Sequence, residues 1–466
     1  MIAVPNDKEP GYTLISKPAL TRVHFSFLSS KNYKPISNDA VHPQSWGPSY
    51  ERICKAVAKL EESKSLYNSM MKSATTHGTT PLTKLQLTCK TLKSELAWRN
   101  IHASSGNSFT GLSLWLCKVF SAATATLEHI LPTRESFVRW AKNIRLGKND
   151  YMLRIDIKHF YMSGKPEEIA ELACETLQEG PQRDTYFGAV LWLLTNQYIA
   201  SNADSNMSYC QVVRGTGMGL QASGPLADAA FFVKAERDWC VRPAVAESYG
   251  IREYVRFRDD LFIVASDRNL TRAWYGELRR RADPVFELVV EEVSNSNVSM
   301  LSLDVSIHNR GLRVKPKPPP CQAPLGTDSA HHPAIHRSWP VACLRNIRFL
   351  CSHIVDIEAA EDEYILRFVQ AGADLPLLRS LQRNRFHMNS DRERTRRARG
   401  EVHLVMKFHP AFEASGFTRK LDHFLRNPVW HGILGQAGLQ DFCNLAVTWK
   451  NAGAHLQMLL REPGRS

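Results

Sequence analysis

The chain has no Cys-x-x-Cys pair, no apolar run of membrane-spanning length, no internal repeat, and no low-complexity tract beyond one short proline cluster. Its ten cysteines are scattered, without the spacing of a zinc site or a disulfide framework, and read as reduced intracellular thiols. Cys343 and Cys351 lie near His331, His332 and His336, but that spacing fits no common zinc pattern. The opening Met1-Ile2-Ala3-Val4-Pro5-Asn6-Asp7 has no apolar signal core. These absences predict a soluble intracellular protein, nuclear or cytoplasmic, with no membrane partner. Acid is also in short supply: 46 Asp and Glu against 59 Lys and Arg leave a net charge of +13. Such a balance suits a groove that tracks phosphates, with salt-sensitive binding.

With 466 residues, 43% of them hydrophobic, the chain can bury a large core and divide into roughly two to four domains. Residues 1–75 read as a proline-broken, irregular extension followed by a helix. In that helix Ile53, Val57, Leu60, Tyr67, Met70 and Met71 share a face. Residues 76–150 mix basic and apolar segments. Thr185 to about Ile199 reads as an apolar helix. Lys315-Pro316-Lys317-Pro318-Pro319-Pro320 marks the end of a central region over 151–314, because proline does not continue a sheet interior. In 315–466, Leu344 to Phe349 and Glu361 to Val369 read as helices. Arg392, Arg394, Arg396, Arg397 and Arg399 belong to the densest basic run, suited to a nucleic-acid backbone.

Two segments carry the chemistry. In Leu153-Arg154-Ile155-Asp156-Ile157-Lys158, apolar and charged residues alternate, as in a half-buried strand with its acid on the open face. About a hundred residues on, Tyr254 to Phe257 leads into Arg258-Asp259-Asp260, and Leu261 to Ala265 leads out. This reads as a hairpin with Asp259-Asp260 in the turn. By alternation Arg258 faces away from Asp259. A lone Asp-Asp is more often a plain turn, and adjacent ionised acids repel unless a cation such as Mg²⁺ neutralises them. Between the two lies Gly215-Thr216-Gly217-Met218-Gly219-Leu220-Gln221-Ala222-Ser223-Gly224-Pro225, where glycines permit close backbone approach, followed by an apolar helix. The order of acid strand, glycine-rich loop with helix, and acid hairpin is the informative combination.

That order resembles the palm of a reverse transcriptase, most of all in the Penelope-like retroelement branch. Asp156 runs to Tyr161, and Gly215, Met218, Gly219, Pro225 and Ala227 match the branch's loop, with Glu236 beyond. Arg256-Phe257-Arg258-Asp259-Asp260 is similar to its Arg-Tyr-x-Asp-Asp hairpin. Phe286 to Leu288 with Leu301 to Val305, Ser329 to Pro333, and Val447 to Asn451 resemble its later segments. Arg99-Asn100-Ile101 resembles its Arg-Pro-Ile finger element without the proline. The resemblance spans roughly residues 85–460 and is most specific in the palm.

The resemblance implies an α+β right-hand polymerase architecture, with an antiparallel palm sheet and helical fingers and thumb. It implies RNA-directed DNA polymerase activity, with Asp156, Asp259 and Asp260 as catalytic ligands of two Mg²⁺ (or Mn²⁺) ions. The Ile157 carbonyl would complete a shell. Tyr161 would exclude a 2′-hydroxyl. Gly217, Met218 and Gln221 would line the nascent pair, and Lys93 and Arg99 would meet the triphosphate. Implied partners are an RNA template, a DNA primer, their hybrid, and deoxynucleoside triphosphates. No GIY-YIG-type pattern follows the polymerase-like region, so any endonuclease is expected on a separate partner. The alternatives are a catalytically inactive or domesticated palm that only binds nucleic acid, and an RNA-directed RNA polymerase, against which the bulk of Tyr161 argues.

Overall fold

The computed structural model describes residues 1–7, 12–76, 79–91, 97–201, 208–317, 326–327 and 333–383, together with the strands 401–407 and 444–450. The chain forms two compact units, Met1–Gln322 and Ala323–Ser466.

The heart of the first unit is a four-stranded antiparallel sheet. Its strands run in the spatial order Glu287–Ser294, Tyr151–Lys158, Asp260–Ala265, Ile251–Phe257. Along the chain the sequence is strand, helices, hairpin, helix, strand, the split βαβ arrangement of ferredoxin-like folds. Alternation accounts for the first strand: Leu153, Ile155 and Ile157 are buried, and Arg154, Asp156 and Lys158 stay partly exposed. The return strand is different. Leu261, Phe262, Ile263, Val264 and Ala265 are all buried, because packing covers both of its faces.

Helix Ser223–Phe231 is apolar almost all round and correspondingly buried. Its Phe231 packs against Phe160 and Phe286, which flank one end of the paired strands Tyr151–Lys158 and Glu287–Ser294. Helix Arg268–Ala282 covers the same core with Trp274 and Leu278. It starts where the Asp267 side chain accepts the Asn269 and Leu270 amides, and it ends on Arg279, Arg280 and Arg281, which suit the negative end of the helix dipole.

A second sheet of five strands has the order Tyr33–Pro35, Ser208–Val212, Tyr198–Ser201, Leu82–Lys90, Ala97–Ala103. The segment 76–150 thus contributes two strands as well as helices Thr110–Thr124 and Arg134–Ala141. The apolar helix expected to reach Ile199 stops at Thr195, since Tyr198 to Ser201 joins this sheet.

The first 48 residues are more regular than their prolines suggest. Pro18 and Pro43 sit in the first turns of helices Lys17–Leu28 and Pro43–Leu60, where a missing N–H costs nothing. The single helix expected next is two, Pro43–Leu60 and Lys64–Thr75. Leu303–His308 pairs with Asn297–Met300 and Gly311–Pro316 in a separate three-stranded sheet.

In the second unit, helices Pro333–Leu350, Ile354–Gln370 and Leu375–Arg383 share a small core of Leu344, Ile347, Cys351, Ile365, Phe368 and Leu378. Strands Glu401–Lys407 and Asn444–Lys450 pair in parallel. Among the described residues no helix is long and apolar enough to cross a membrane. The mixed helix-and-strand build with antiparallel sheets is the one the sequence implies.

Candidate active site

Strand register brings the acids together. Asp260 is the cross-strand partner of Asp156, and the Ile157 amide donates to the Asp259 carbonyl at 2.9 Å. Directly opposed residues on neighbouring antiparallel strands hold their Cβ atoms about 5 Å apart. The two segments named from sequence therefore meet at one end of the central sheet. The turn is shifted by one residue from the expected position: Phe257 pairs with Asp260, so Arg258-Asp259 makes the turn and Asp260 begins the return strand. Arg258 takes the left-handed conformation that such a tight hairpin demands, with φ of 56°.

Each opposed acid is met by a cation from the strand of Asp156 itself. Lys158 Nζ lies 2.9 Å from Asp156 Oδ2, and Arg154 Nε lies 3.2 Å from Asp260 Oδ1. Arg154 also donates to Glu291 and, at 2.9 Å, to the Ser299 carbonyl, so its position is fixed from three sides. The Asp260 carboxyl is pushed up to about 6, first by burial and then by the charges of Asp259 and Asp156, while Arg154 pulls the other way. Asp259 and Asp156 thus both act on the Asp260 carboxyl.

Among the described residues no three His, Cys, Asp or Glu side chains form a ready metal cage. The donor set nonetheless suits a hard divalent cation, because burial and, after it, the neighbouring carboxylates raise the proton affinity of Asp260, and a cation relieves that repulsion. In the present arrangement Lys158 and Arg154 supply the neutralising charge.

Behind the turn lies a buried ionic network that sequence reading did not assign. Arg256 is fully buried. It donates to Glu236 Oε1 at 2.8 Å and Oε2 at 3.0 Å, and to Asp228 Oδ1 at 2.7 Å. Arg258 donates to the other oxygen of Asp228, and its guanidinium lies against Gly224. The Arg258 side chain is thus bound to the helix behind the turn. His129 Nε2 stands 3.2 Å from Glu236 Oε2, and the Tyr254 hydroxyl donates to Glu236 Oε1. Burial alone would raise the Glu236 carboxyl, but Arg256 and His129 hold it well below the ordinary carboxylate range. A lone Asp228 within the apolar run Leu226 to Phe232 was the available sequence signal, because unpaired acids are almost never fully buried.

The glycine-rich loop docks on the residues after the acid strand. Gly215 has φ of +73°, and a Cβ there would lie 2.2 Å from the Tyr161 carbonyl oxygen. Gly217 donates its amide to that same oxygen at 3.1 Å. Tyr161 is half-buried, and burial raises its hydroxyl pKa. Asp259 adds to that rise, while Arg258 and Arg99 oppose it. Tyr161, Asp259, Arg258 and Arg99 therefore share one electrostatic neighbourhood. Met218 is half-buried and Gln221 exposed, on the same loop. Arg99, expected at the triphosphate, pairs with Asp7 at 3.1 Å. Lys93, Arg392, Arg394, Arg396, Arg397 and Arg399 lie outside the described residues.

No family model matches the chain, and no curated protein matches it. Solved structures similar to it include apo telomerase from Candida tropicalis, with 9% identity and a TM-score of 0.47 over 83% of this chain and 66% of that one. Telomerase from Candida albicans, in complex with a fragment of telomeric RNA, gives 13% identity and a TM-score of 0.45 over 70% and 59%. The RNA-dependent RNA polymerase of a human picobirnavirus gives 12% identity and a TM-score of 0.45 over 77% and 75%. The chain spans 55% to 66% of the first three telomerase chains it matches.

Proposed function

We propose that this chain is an RNA-directed DNA polymerase that extends a primer 3′-hydroxyl with deoxynucleotides, derived from a Penelope-like retroelement. The carrying observation is the register that sets Asp260 opposite Asp156, with Asp259 in the adjoining turn and the glycine-rich loop beside them. Two Mg²⁺ or Mn²⁺ ions held by Asp156, Asp259 and Asp260 would activate the primer hydroxyl and neutralise the departing pyrophosphate.

The chain's own groups do the rest. The Arg256, Asp228 and Glu236 network fixes the hairpin turn, so the acids are held in place before substrate arrives. Tyr161, whose carbonyl accepts the Gly217 amide, shares an electrostatic neighbourhood with Asp259, and its bulk would select against a 2′-hydroxyl. Glycines let the loop approach a base pair closely, and an A-form hybrid is read by shape and backbone. Net positive charge serves the phosphates of template and primer.

One observation favours a second reading. Lys158 and Arg154 already neutralise Asp156 and Asp260, as they would in a palm that binds nucleic acid without catalysis. Primer extension on an RNA template, with deoxynucleotides and Mg²⁺ or Mn²⁺, separates the two. The polymerase reading expects extension by the unmodified chain and none by Asp259→Ala or Asp260→Ala. Hybrid binding with no extension by the unmodified chain would leave the binding module.

A further inference from the structure

The five-stranded sheet has an unusual closure. Tyr33 and His102 sit on its two outermost strands, four strand spacings apart in the hydrogen-bonded order. In a flat sheet that separation is about 19 Å. Their rings instead meet edge to face, with centroids 5.8 Å apart. The sheet therefore curls until its edges touch, around a core of Leu85, Ile199, Cys210 and Val212.

The contact between the edges is polar and specific. The Tyr33 hydroxyl lies 2.9 Å from His102 Nε2, and Asn100 Nδ2 donates to that hydroxyl at 2.6 Å. The other ring nitrogen, Nδ1, faces the Met218 amide at 3.3 Å. A backbone amide can only donate, so Nδ1 is the acceptor and the ring proton sits on Nε2, pointing at the Tyr33 oxygen. Burial depresses the His102 pKa to about 4, which keeps the ring neutral and this tautomer in place. The backbone repeats the link: the His102 amide donates to the Met218 carbonyl at 2.7 Å. On either side of Met218 there is no slack. A Cβ on Gly217 would lie 2.0 Å from Gln197 Oε1, and one on Gly219 would lie 1.8 Å from the His102 carbonyl oxygen.

We propose that Tyr33 and His102 form a clasp that holds Met218 and its flanking glycines in the conformation needed to receive the incoming nucleotide. They are positioning residues, acting through the loop. This deepens the polymerase reading and rests on it for the identity of the ligand. Tyr33 orients the His102 ring, and the ring orients the Met218 amide. Loss of the hydroxyl thus reaches the loop without any change in a residue of the loop itself.

The test combines amide hydrogen exchange with steady-state extension kinetics on the full chain. Tyr33→Phe removes one oxygen, His102→Leu removes both ring contacts, and His102→Asn keeps an acceptor at the place of Nδ1. Exchange at Met218 and its neighbours is expected to speed up on the order of tenfold in Tyr33→Phe and more in His102→Leu, with His102→Asn restoring part of the protection. Deoxynucleotide KM should rise about tenfold in Tyr33→Phe while kcat changes less than twofold. Unchanged exchange in folded Tyr33→Phe and His102→Leu would overturn the clasp, as would a fall in kcat at constant KM. If the unmodified chain extends no primer, the polymerase reading fails, while the exchange arm still decides whether the clasp holds the loop.

Discussion

Asp156 and Asp260 face each other across adjacent antiparallel strands, and each is met by a basic side chain from the strand of Asp156: Lys158 for one, Arg154 for the other. Opposed like charges destabilise a strand pair, and the two cations offset that cost. A divalent ion offers the same compensation with stronger ligation by hard oxygen. The site is thus neutralised internally, and the proposed divalent ion would have to compete with Lys158 and Arg154.

Replacing Arg154 shifts that balance. Arg154→Met removes the partner of Asp260 and of Glu291 while keeping most of the side-chain volume. In metal-free buffer the variant should lose roughly 1–3 kcal/mol of stability, because it leaves the partly buried Asp260 carboxylate without its cation, while Glu291 keeps Lys158 at 3.5 Å. Added Mg²⁺ should raise its Tm by more than it raises that of the unmodified protein. Thermal melts with and without Mg²⁺ check this; an equal Mg²⁺ response in both proteins would show that Arg154 does not compete with the ion.

The network behind the turn governs stability in acid. Glu236 has its ordinary carboxyl value at 4.5 when unfolded and a lower one when folded. Its contribution is therefore complete above about pH 4.5 and declines as pH falls toward the folded value. Urea melts below pH 4.5 should show stability dropping with pH, and Glu236→Gln should flatten that slope. Arg256→Leu should cost about 3–5 kcal/mol at neutral pH, since it strands Asp228 and Glu236 without their shared cation. A loss near zero would mean that the two acids find other partners.

Tyr161 sets sugar choice if its ring lies under the nucleotide. Tyr161→Ala should let ribonucleotides in, reducing discrimination against them on the order of tenfold or more with the deoxynucleotide rate largely kept. Parallel extension with each nucleotide type measures it. Unchanged discrimination would place the ring in the core alone.

How much of this was legible in sequence follows from range. The acid strand declared itself by alternation, and the pairing of Asp156 with the 259–260 hairpin followed from motif order. The one-residue shift of the turn was not legible, because Asp259-Asp260 and Arg258-Asp259 are both plausible tight turns. The left-handed Arg258 is made tolerable by Asp228, thirty positions away in sequence. The clasp was invisible for the same reason. Tyr33 and His102 are ordinary residues on separate strands, and only the curl of the sheet brings them into contact. Prolines misled in the first 48 residues because Pro18 and Pro43 begin helices instead of breaking them.

If Asp156 and the 259–260 pair form one cation site, Mn²⁺ binding followed by electron paramagnetic resonance will report it. The unmodified chain should show saturable Mn²⁺ binding that Mg²⁺ displaces. Asp156→Asn and Asp259→Asn should each weaken it by about a hundredfold while leaving the fold intact. Equal Mn²⁺ affinity in all three proteins, or none in the folded unmodified chain, would contradict the account.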